Sequence, residues 1–322
     1  MGVLIRAGLS LSVCAAIAAC APSAPESSAF DAQVFEEADT GGFEGSGLET
    51  NAETVPKLDG TWLQYQQMAS CVDLGQASWE IVNRTLYIVN VIESDDGFGA
   101  LTEEFTACDI ELTEIFGLLP RVPDAILEHA FPFTTRQGMV TGTSEGFRYA
   151  SGAVSELWGI AMDDPVADAF VSSDDCERVE GDPQGVTCAD ERIFDMDQDG
   201  KPGVTLEFSV CEAYVVQRTT NYLTGYFVKP DRIEGSLDGG YGGGVGRSRQ
   251  VILDATEALC RTEYEVRSND DYSQWARQRI DGLGGALNLD ADGDGAITCD
   301  EVLPYQALLF ERRAGNDEHC ER

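Results

Sequence analysis

Trp79-Glu80-Ile81-Val82-Asn83-Arg84-Thr85-Leu86-Tyr87-Ile88-Val89-Asn90-Val91 is dense in β-branched and aromatic residues and has no helix signal. Such a run fits a pleated, largely buried strand. Its neighbours read the same way. Gly60-Thr61-Trp62-Leu63-Gln64-Tyr65-Gln66 alternates, and Cys108-Asp109-Ile110-Glu111-Leu112-Thr113 places Cys108, Ile110 and Leu112 on one face at period two. Further strands are expected at 147–159, 204–217, 220–228, 231–237, 248–257 and 260–267, with turn signals at Asp96-Gly97, Lys229-Pro230 and Asp238-Gly239-Gly240. Helical readings compete only at 123–130 and 270–280. The expected class is mainly β: an antiparallel barrel or sandwich closed to hide its edges, followed by a short C-terminal helical segment.

Residues 1–20 read as an export signal. Arg6 supplies the positive start, and Leu9 to Ala19 is apolar but too short for the roughly 20 residues a bilayer span takes. Ile17-Ala18-Ala19-Cys20 resembles a bacterial lipobox, which implies lipidation at Cys20 and an outer-membrane anchor facing the periplasm or the cell surface. Residues 21–56 hold eight acids and no base. They bury too little apolar area to offset ordering, so an acidic linker is expected. A β-rich domain over 57–268 and a C-terminal segment over 269–322 complete the division. The formal charge is −36 with three lysines, Lys57, Lys201 and Lys229. That excludes a phosphate-tracking basic surface, so nucleic acid is not an expected partner.

Beyond Cys20 stand Cys71, Cys108, Cys176, Cys188, Cys211, Cys260, Cys299 and Cys320. An even set in an exported chain points to four disulfides. Cys176–Cys188 and Cys299–Cys320 are the first pairs expected. Zinc is disfavoured, since no Cys-x-x-Cys occurs and His129 and His319 are the only histidines.

Asp290-Ala291-Asp292-Gly293-Asp294-Gly295-Ala296-Ile297-Thr298-Cys299-Asp300-Glu301 sets acids at positions one, three, five and twelve, and glycine at six. Calcium requires six to eight converging oxygens at about 2.3–2.6 Å, and this spacing supplies them. The segment resembles an EF-hand loop. The resemblance implies side-chain ligands Asp290, Asp292, Asp294 and Glu301, the Ala296 carbonyl, and Thr298 directly or through water. The approach through Asp281-Gly282-Leu283-Gly284-Gly285 is poor in helix formers, whereas an exiting helix is expected from Cys299 to about Arg313, with Pro304 inside it. Asp195-Met196-Asp197-Gln198-Asp199-Gly200-Lys201-Pro202-Gly203 repeats the alternating acids. It is similar to the calcium loops of thrombospondin type 3 repeats. Asp195, Asp197 and Asp199 would ligate by side chain and Lys201 by carbonyl. Leu206 holds the twelfth position, so Glu207 or a remote acid would close the site. Strand-like flanks, Arg192-Ile193-Phe194 and Val204 to Phe208, make it a β–loop–β turn.

Gly60-Thr61-Trp62 resembles the first-strand Gly-x-Trp of lipocalin-like barrels. That implies a tryptophan plugging one end under an arginine from the last strand, here Arg261 or Arg267. Gly142-Thr143-Ser144-Glu145-Gly146 matches a nucleophile elbow in letters, but a strand-like segment follows it where an elbow needs a helix. The glycine-rich 239–248 also precedes a strand, so a phosphate loop is not expected. The combined expectation is a non-enzymatic, exported, calcium-binding lipoprotein stabilised by ions and disulfides. The alternative is a lipocalin-like carrier of a small apolar ligand.

Overall fold

The computed structural model describes residues 56–320, apart from 74–77, 95–98, 115–120, 123–126, 128–133, 144–145, 153, 165–167, 173, 175, 179–185, 239–248, 258–259 and 261–264. The expected export signal, Cys20 and nearly all of the linker and of the helix at 123–130 lie outside the described residues. Chain order gives β1 (Gly60–Asp73), β2 (Ser78–Glu93), β3 (Ala100–Glu111), β4 (Thr134–Thr143), β5 (Gly146–Ser151), β6 (Val154–Trp158), β7 (Cys176–Arg178), β8 (Val186–Cys188), β9 (Val204–Glu207), β10 (Glu212–Lys229), β11 (Arg232–Asp238), β12 (Arg249–Ala255), β13 (Glu265–Ser268) and β14 (Gln274–Arg279). Antiparallel pairing runs β11-β14-β1-β2-β3-β4-β5-β10, and β10 pairs back onto β11. Eight strands therefore close a ring, which removes the open edges that an unclosed sheet of this size would expose. The choice between barrel and sandwich resolves to a barrel.

Alternation assigns the two faces. Trp62, Val89, Val91, Leu101, Phe105, Val140, Tyr149, Leu223, Phe227, Ile233 and Trp275 share the interior cluster. The opposite face of β1, β2 and β3 presents Leu63, Tyr65, Leu86, Ile88 and Cys108, and these are covered by Ile280, Leu289, Val302 and Phe310. The wall is thus buried on both sides, which explains why β2 reads as a nearly continuous apolar run. Gly225 and Gly235 face each other across β10 and β11. A Cβ on Gly235 would stand 1.8 Å from the Thr224 carbonyl oxygen, and one on Gly225 would stand 2.9 Å from the Trp275 ring. Only hydrogen lets these strands and the indole approach so closely.

Three expectations change. The stretch 270–280 is not a helix: after a 3₁₀ turn at Asp270–Tyr272 it becomes β14, laddered between β1 and β11. Trp275, Arg277 and Arg279 alternate at period two, and the barrel runs to Arg279 rather than ending near 268. Cys108 does not share a face with Ile110 and Leu112. The β2–β3 register shifts between Leu86 and Tyr87, so Cys108 turns outward while Ile110 and Leu112 pack on the interior cluster; an extra residue in one strand does this. The two strands expected over 204–217 and 220–228 break instead at 208–211, leaving β10 as one 18-residue strand.

β10 serves two sheets. Its second half lines the barrel, and its first half pairs with β6 and β9 on one side and β12 on the other. A separate cluster of Ile160, Val171, Tyr214, Val216 and Leu253 packs this extension.

The disulfides are Cys71–Cys320, Cys108–Cys299, Cys176–Cys188 and Cys211–Cys260. Cys176–Cys188 is the expected local pair. Cys299–Cys320 is overturned: the C-terminal segment lies along the outer wall, so each of its cysteines meets a barrel strand. Four disulfides point to a non-reducing, exported compartment. No helix among the described residues is long and apolar enough to cross a membrane.

The tail is also held by Glu80, whose side chain is fully buried. It accepts from Arg313 Nη2 at 2.9 Å and from the Asn316 amide at 2.7 Å, and His319 Nδ1 lies 3.0 Å away. Burial opposes ionisation of this carboxyl, but the bonds from Arg313, Asn316 and His319 outweigh it and hold it below the usual carboxylate range. A depressed carboxyl contributes stability that is present above its unfolded value, near 4.3, and is lost as pH falls through the folded value. Glu80→Gln is therefore expected to cost about 1.5–3 kcal/mol in urea melts at pH 7. The gap to the parent should hold down to about pH 5 and close below about pH 4. A gap independent of pH would disprove this role.

Candidate metal centres

Two groups of carboxylates converge among the described residues: Asp195, Asp197 and Asp199, and Asp290, Asp292 and Asp294. In each, one oxygen per residue lies within 4.8 Å of the others. Like charges at that spacing repel unless a cation or proton intervenes.

The loops share one backbone design. Position four is left-handed in both, as Gln198 (φ 60°) and Gly293 (φ 75°), and so is position six, as Gly200 (φ 86°) and Gly295 (φ 88°). Asp195 accepts the amides of Asp199 at 3.1 Å and Gly200 at 2.8 Å. Asp290 accepts those of Gly293 at 2.7 Å and Gly295 at 3.0 Å. At position five, Asp199 and Asp294 each accept the amide two residues on, Lys201 and Ala296, at 2.8 Å. These bonds curl the chain around a common centre and fix the first and fifth carboxylates toward it.

The Asp195 loop sits on the extension. Its approach is not a strand, as its sequence suggests, but two isolated bridges, Ile160 to Ile193 and Asp195 to Gly203; β9 follows directly. Asp197 is 7% exposed. Its Oδ2 accepts the Thr205 amide at 2.7 Å, while its Oδ1 is buried with no hydrogen-bond partner among the described residues. Burial pushes this carboxyl up to about 6, with the Thr205 amide opposing and the Asp199 charge adding. Asp199 Oδ2 accepts the Thr205 hydroxyl at 2.6 Å. Thr205, to which the sequence pattern gives no role, thus orients two of the three acids. Glu207, expected to close the site, is not in the group and pairs in register with Glu212.

The Asp290 loop follows buried Leu289 and lies against the outer wall, with Ile297 packed on the outer cluster. Glu301 stands outside the aspartate group. Its Oε1 accepts the Ala291 amide at 2.7 Å, and its Oε2 accepts the Thr298 amide at 2.8 Å and hydroxyl at 2.9 Å. Those bonds, the Thr298 amide foremost, hold the carboxyl below its usual range. Thr298 and Glu301 form a capping box on α1 (Cys299–Val302). The exiting helix expected to reach Arg313 is short and broken: a 3₁₀ turn spans Leu303–Tyr305, with Pro304 in it, and α2 (Gln306–Leu309) ends before Phe310. Pro304 lacks the amide hydrogen that a continuous ladder would use.

The end of the barrel carries a feature that the sequence located only in part. Trp62 is fully buried, donates its Nε1–H to the Leu58 carbonyl at 2.9 Å, and lies under the Arg279 guanidinium, 5.5 Å from it. Arg279 donates to Asp281 at 2.8 Å and to the carbonyls of Lys57 and Asp59. The expected stack is present, but Arg279 supplies it; Arg267 lies on β13, and Arg261 is outside the described residues. β4 and β5, on either side of the Gly-x-Ser-x-Gly segment, pair antiparallel with Thr143 opposite Gly146, so a strand and not a helix follows it. No protein-family model, no curated protein and no solved structure matches the chain.

Proposed function

We propose that this is an exported, lipid-anchored β-barrel protein whose two aspartate loops bind calcium, and that the ions and disulfides together hold the barrel, its extension and its tail in one fold. The observation that carries this reading is Asp197 Oδ1, a buried carboxylate oxygen that no donor among the described residues meets, beside two further carboxylates. Burying such an oxygen is costly unless a cation takes the place of the lost water. The donors are all hard oxygens, the set calcium prefers to zinc. Asp195, Asp197 and Asp199 would hold one ion, and Asp290, Asp292 and Asp294 the other. Glu301 supports the second loop through its bonds to Ala291 and Thr298. Extracellular calcium sites have dissociation constants of about 0.1–1 mM.

Equilibrium dialysis of the purified chain at millimolar calcium tests this directly. Two ions per chain are expected, one in Asp197→Ala or in Asp290→Ala, and weak competition from magnesium. Retention of both ions by Asp197→Ala would remove the basis for the inner site.

A second reading is that the barrel carries a small ligand. It is supported by the closed eight-strand ring with Trp62 and Arg279 at one end.

A further inference from the structure

Met196 stands between two aspartates of the inner loop, at its second position. It is 9% exposed and packs in the interior cluster with Trp158, Val204 and Val215. Met68, Met139 and Met162, the other methionines among the described residues, are half-buried. The thioether of Met196 is also a hydrogen-bond partner. Its Sδ accepts the buried Gly159 amide at 3.1 Å. The Gly159 carbonyl accepts the Phe194 amide at 3.1 Å, and the Met196 amide donates to the Gly203 carbonyl at 3.0 Å. A Cβ on Gly159 would stand 2.4 Å from Gly203 Cα. Backbone packed this closely cannot give way as the end of a flexible side chain can.

These contacts last only while the loop keeps its curl. Three carboxylates with oxygens within 4.8 Å of one another repel when no ion lies among them. An empty loop therefore opens more often than a filled one. Met196 is joined directly to Asp195 and Asp197, so each opening draws its sulfur out of the packing.

We propose that Met196 is an oxidation site governed by the inner loop: bound calcium shields its sulfur, peroxide converts it to the sulfoxide when the loop is empty, and the oxidised loop no longer holds the ion. In that step a sulfur lone pair attacks one peroxide oxygen, the O–O bond breaks, an S–O bond forms and the other oxygen leaves as water. Sulfur loses two electrons and the peroxide gains them. The product does not fit the parent site. An oxygen on the lone pair that meets the Gly159 amide would take that amide's place, and one on the other lone pair would set a polar atom in the apolar cluster. The ion and the packed thioether favour the same loop conformation, so loss of either weakens the other. The proposal rests on the calcium reading and adds a control to the inner site alone.

Peptide mass spectrometry of the purified full chain, treated with hydrogen peroxide in calcium and in chelator, tests this. Oxidation of Met196 is expected to be at least about tenfold slower in calcium, because the openings that expose it are suppressed. Met139, half-buried on β4, is expected to oxidise alike in both. Chain oxidised in chelator and returned to calcium is expected to hold one ion by dialysis, against two in the untreated chain. Met196→Leu, which lacks the sulfur, is expected to hold two before and after peroxide. Equal rates at Met196 with and without calcium, in a chain that binds two ions, would overturn this inference and spare the calcium reading. A parent chain whose ion count is unchanged by Asp197→Ala would overturn both. Loss of an ion from peroxide-treated Met196→Leu would show that another residue empties the loop and would overturn the role of Met196. If the leucine variant does not fold, the two rates at Met196 in the parent decide alone.

Discussion

Glu103→Gln is expected to lower the unfolding free energy by about 3–5 kcal/mol. Glu103 and Arg277 have side-chain exposures of 0% and 1%. The Arg277 guanidinium lies 5.0 Å from the Tyr149 ring, 5.5 Å from Trp275 and 5.8 Å from Phe105. Glutamine keeps the shape and removes the charge, so a desolvated guanidinium is left with only neutral acceptors and ring faces. The Tyr149 hydroxyl, pushed well up by burial and by the Glu103 charge, remains a donor and has to find another acceptor. The net contribution of the intact pair is much smaller than this loss, because removing two charges from water is itself costly. Glu103→Leu combined with Arg277→Met should therefore recover most of what the single change loses. Urea unfolding of the parent, both single variants and the double variant measures this. A double variant as unstable as the sum of the singles would show that the pair acts through packing rather than charge.

Calcium removal is expected to be the other large effect. With free ion at a hundredfold excess over its dissociation constant, one site contributes about 2.7 kcal/mol. For a folded part of this size that corresponds to a melting shift of about 5–10 °C per site. Scanning calorimetry in calcium against a chelator should show both contributions. Asp197→Ala should abolish the inner one and Asp290→Ala the outer. Magnesium should restore little, because it demands near-ideal octahedral geometry at about 2.0–2.1 Å. The inner loop is expected to dominate. Its Asp197 is buried and, among the described residues, leaves one oxygen without a donor, whereas the acids of the outer loop are half-buried or exposed and keep access to water. Superimposable melts with and without calcium would refute the metal reading.

The strand content and the two loops were legible because both depend on local spacing. Alternation along Trp62 to Gln66 and the apolar density of β2 needed no tertiary information. The three acids and the glycine at position six were legible in each loop, but the left-handed position four, Gln198 and Gly293, was not. What escaped the sequence depended on partners far along the chain. Gln274 to Arg279 carries three inward side chains of which two are arginines, and charged residues do not announce an interior face; Glu103 and the indole of Trp62 make them acceptable there. The bulge that turns Cys108 outward is one residue long and has no signal of its own. The cystine partners of Cys299 and Cys320 follow from the tail lying flat on the wall, which the spacing of the two cysteines does not encode. Thr205 was missed because it is outside the nine-residue pattern, although its amide and hydroxyl fix Asp197 and Asp199.

β10 ties the alignment of the two sheets together. Its 18 residues span about 60 Å at roughly 3.3 Å each. A slip of one residue would turn Leu223 and Phe227 out of the barrel and, in the same movement, turn out Val215, which pairs with Val204 and Ile252 in the extension. Each sheet thus proofreads the other: misthreading anywhere along the shared strand is penalised twice, in the ring and in the extension.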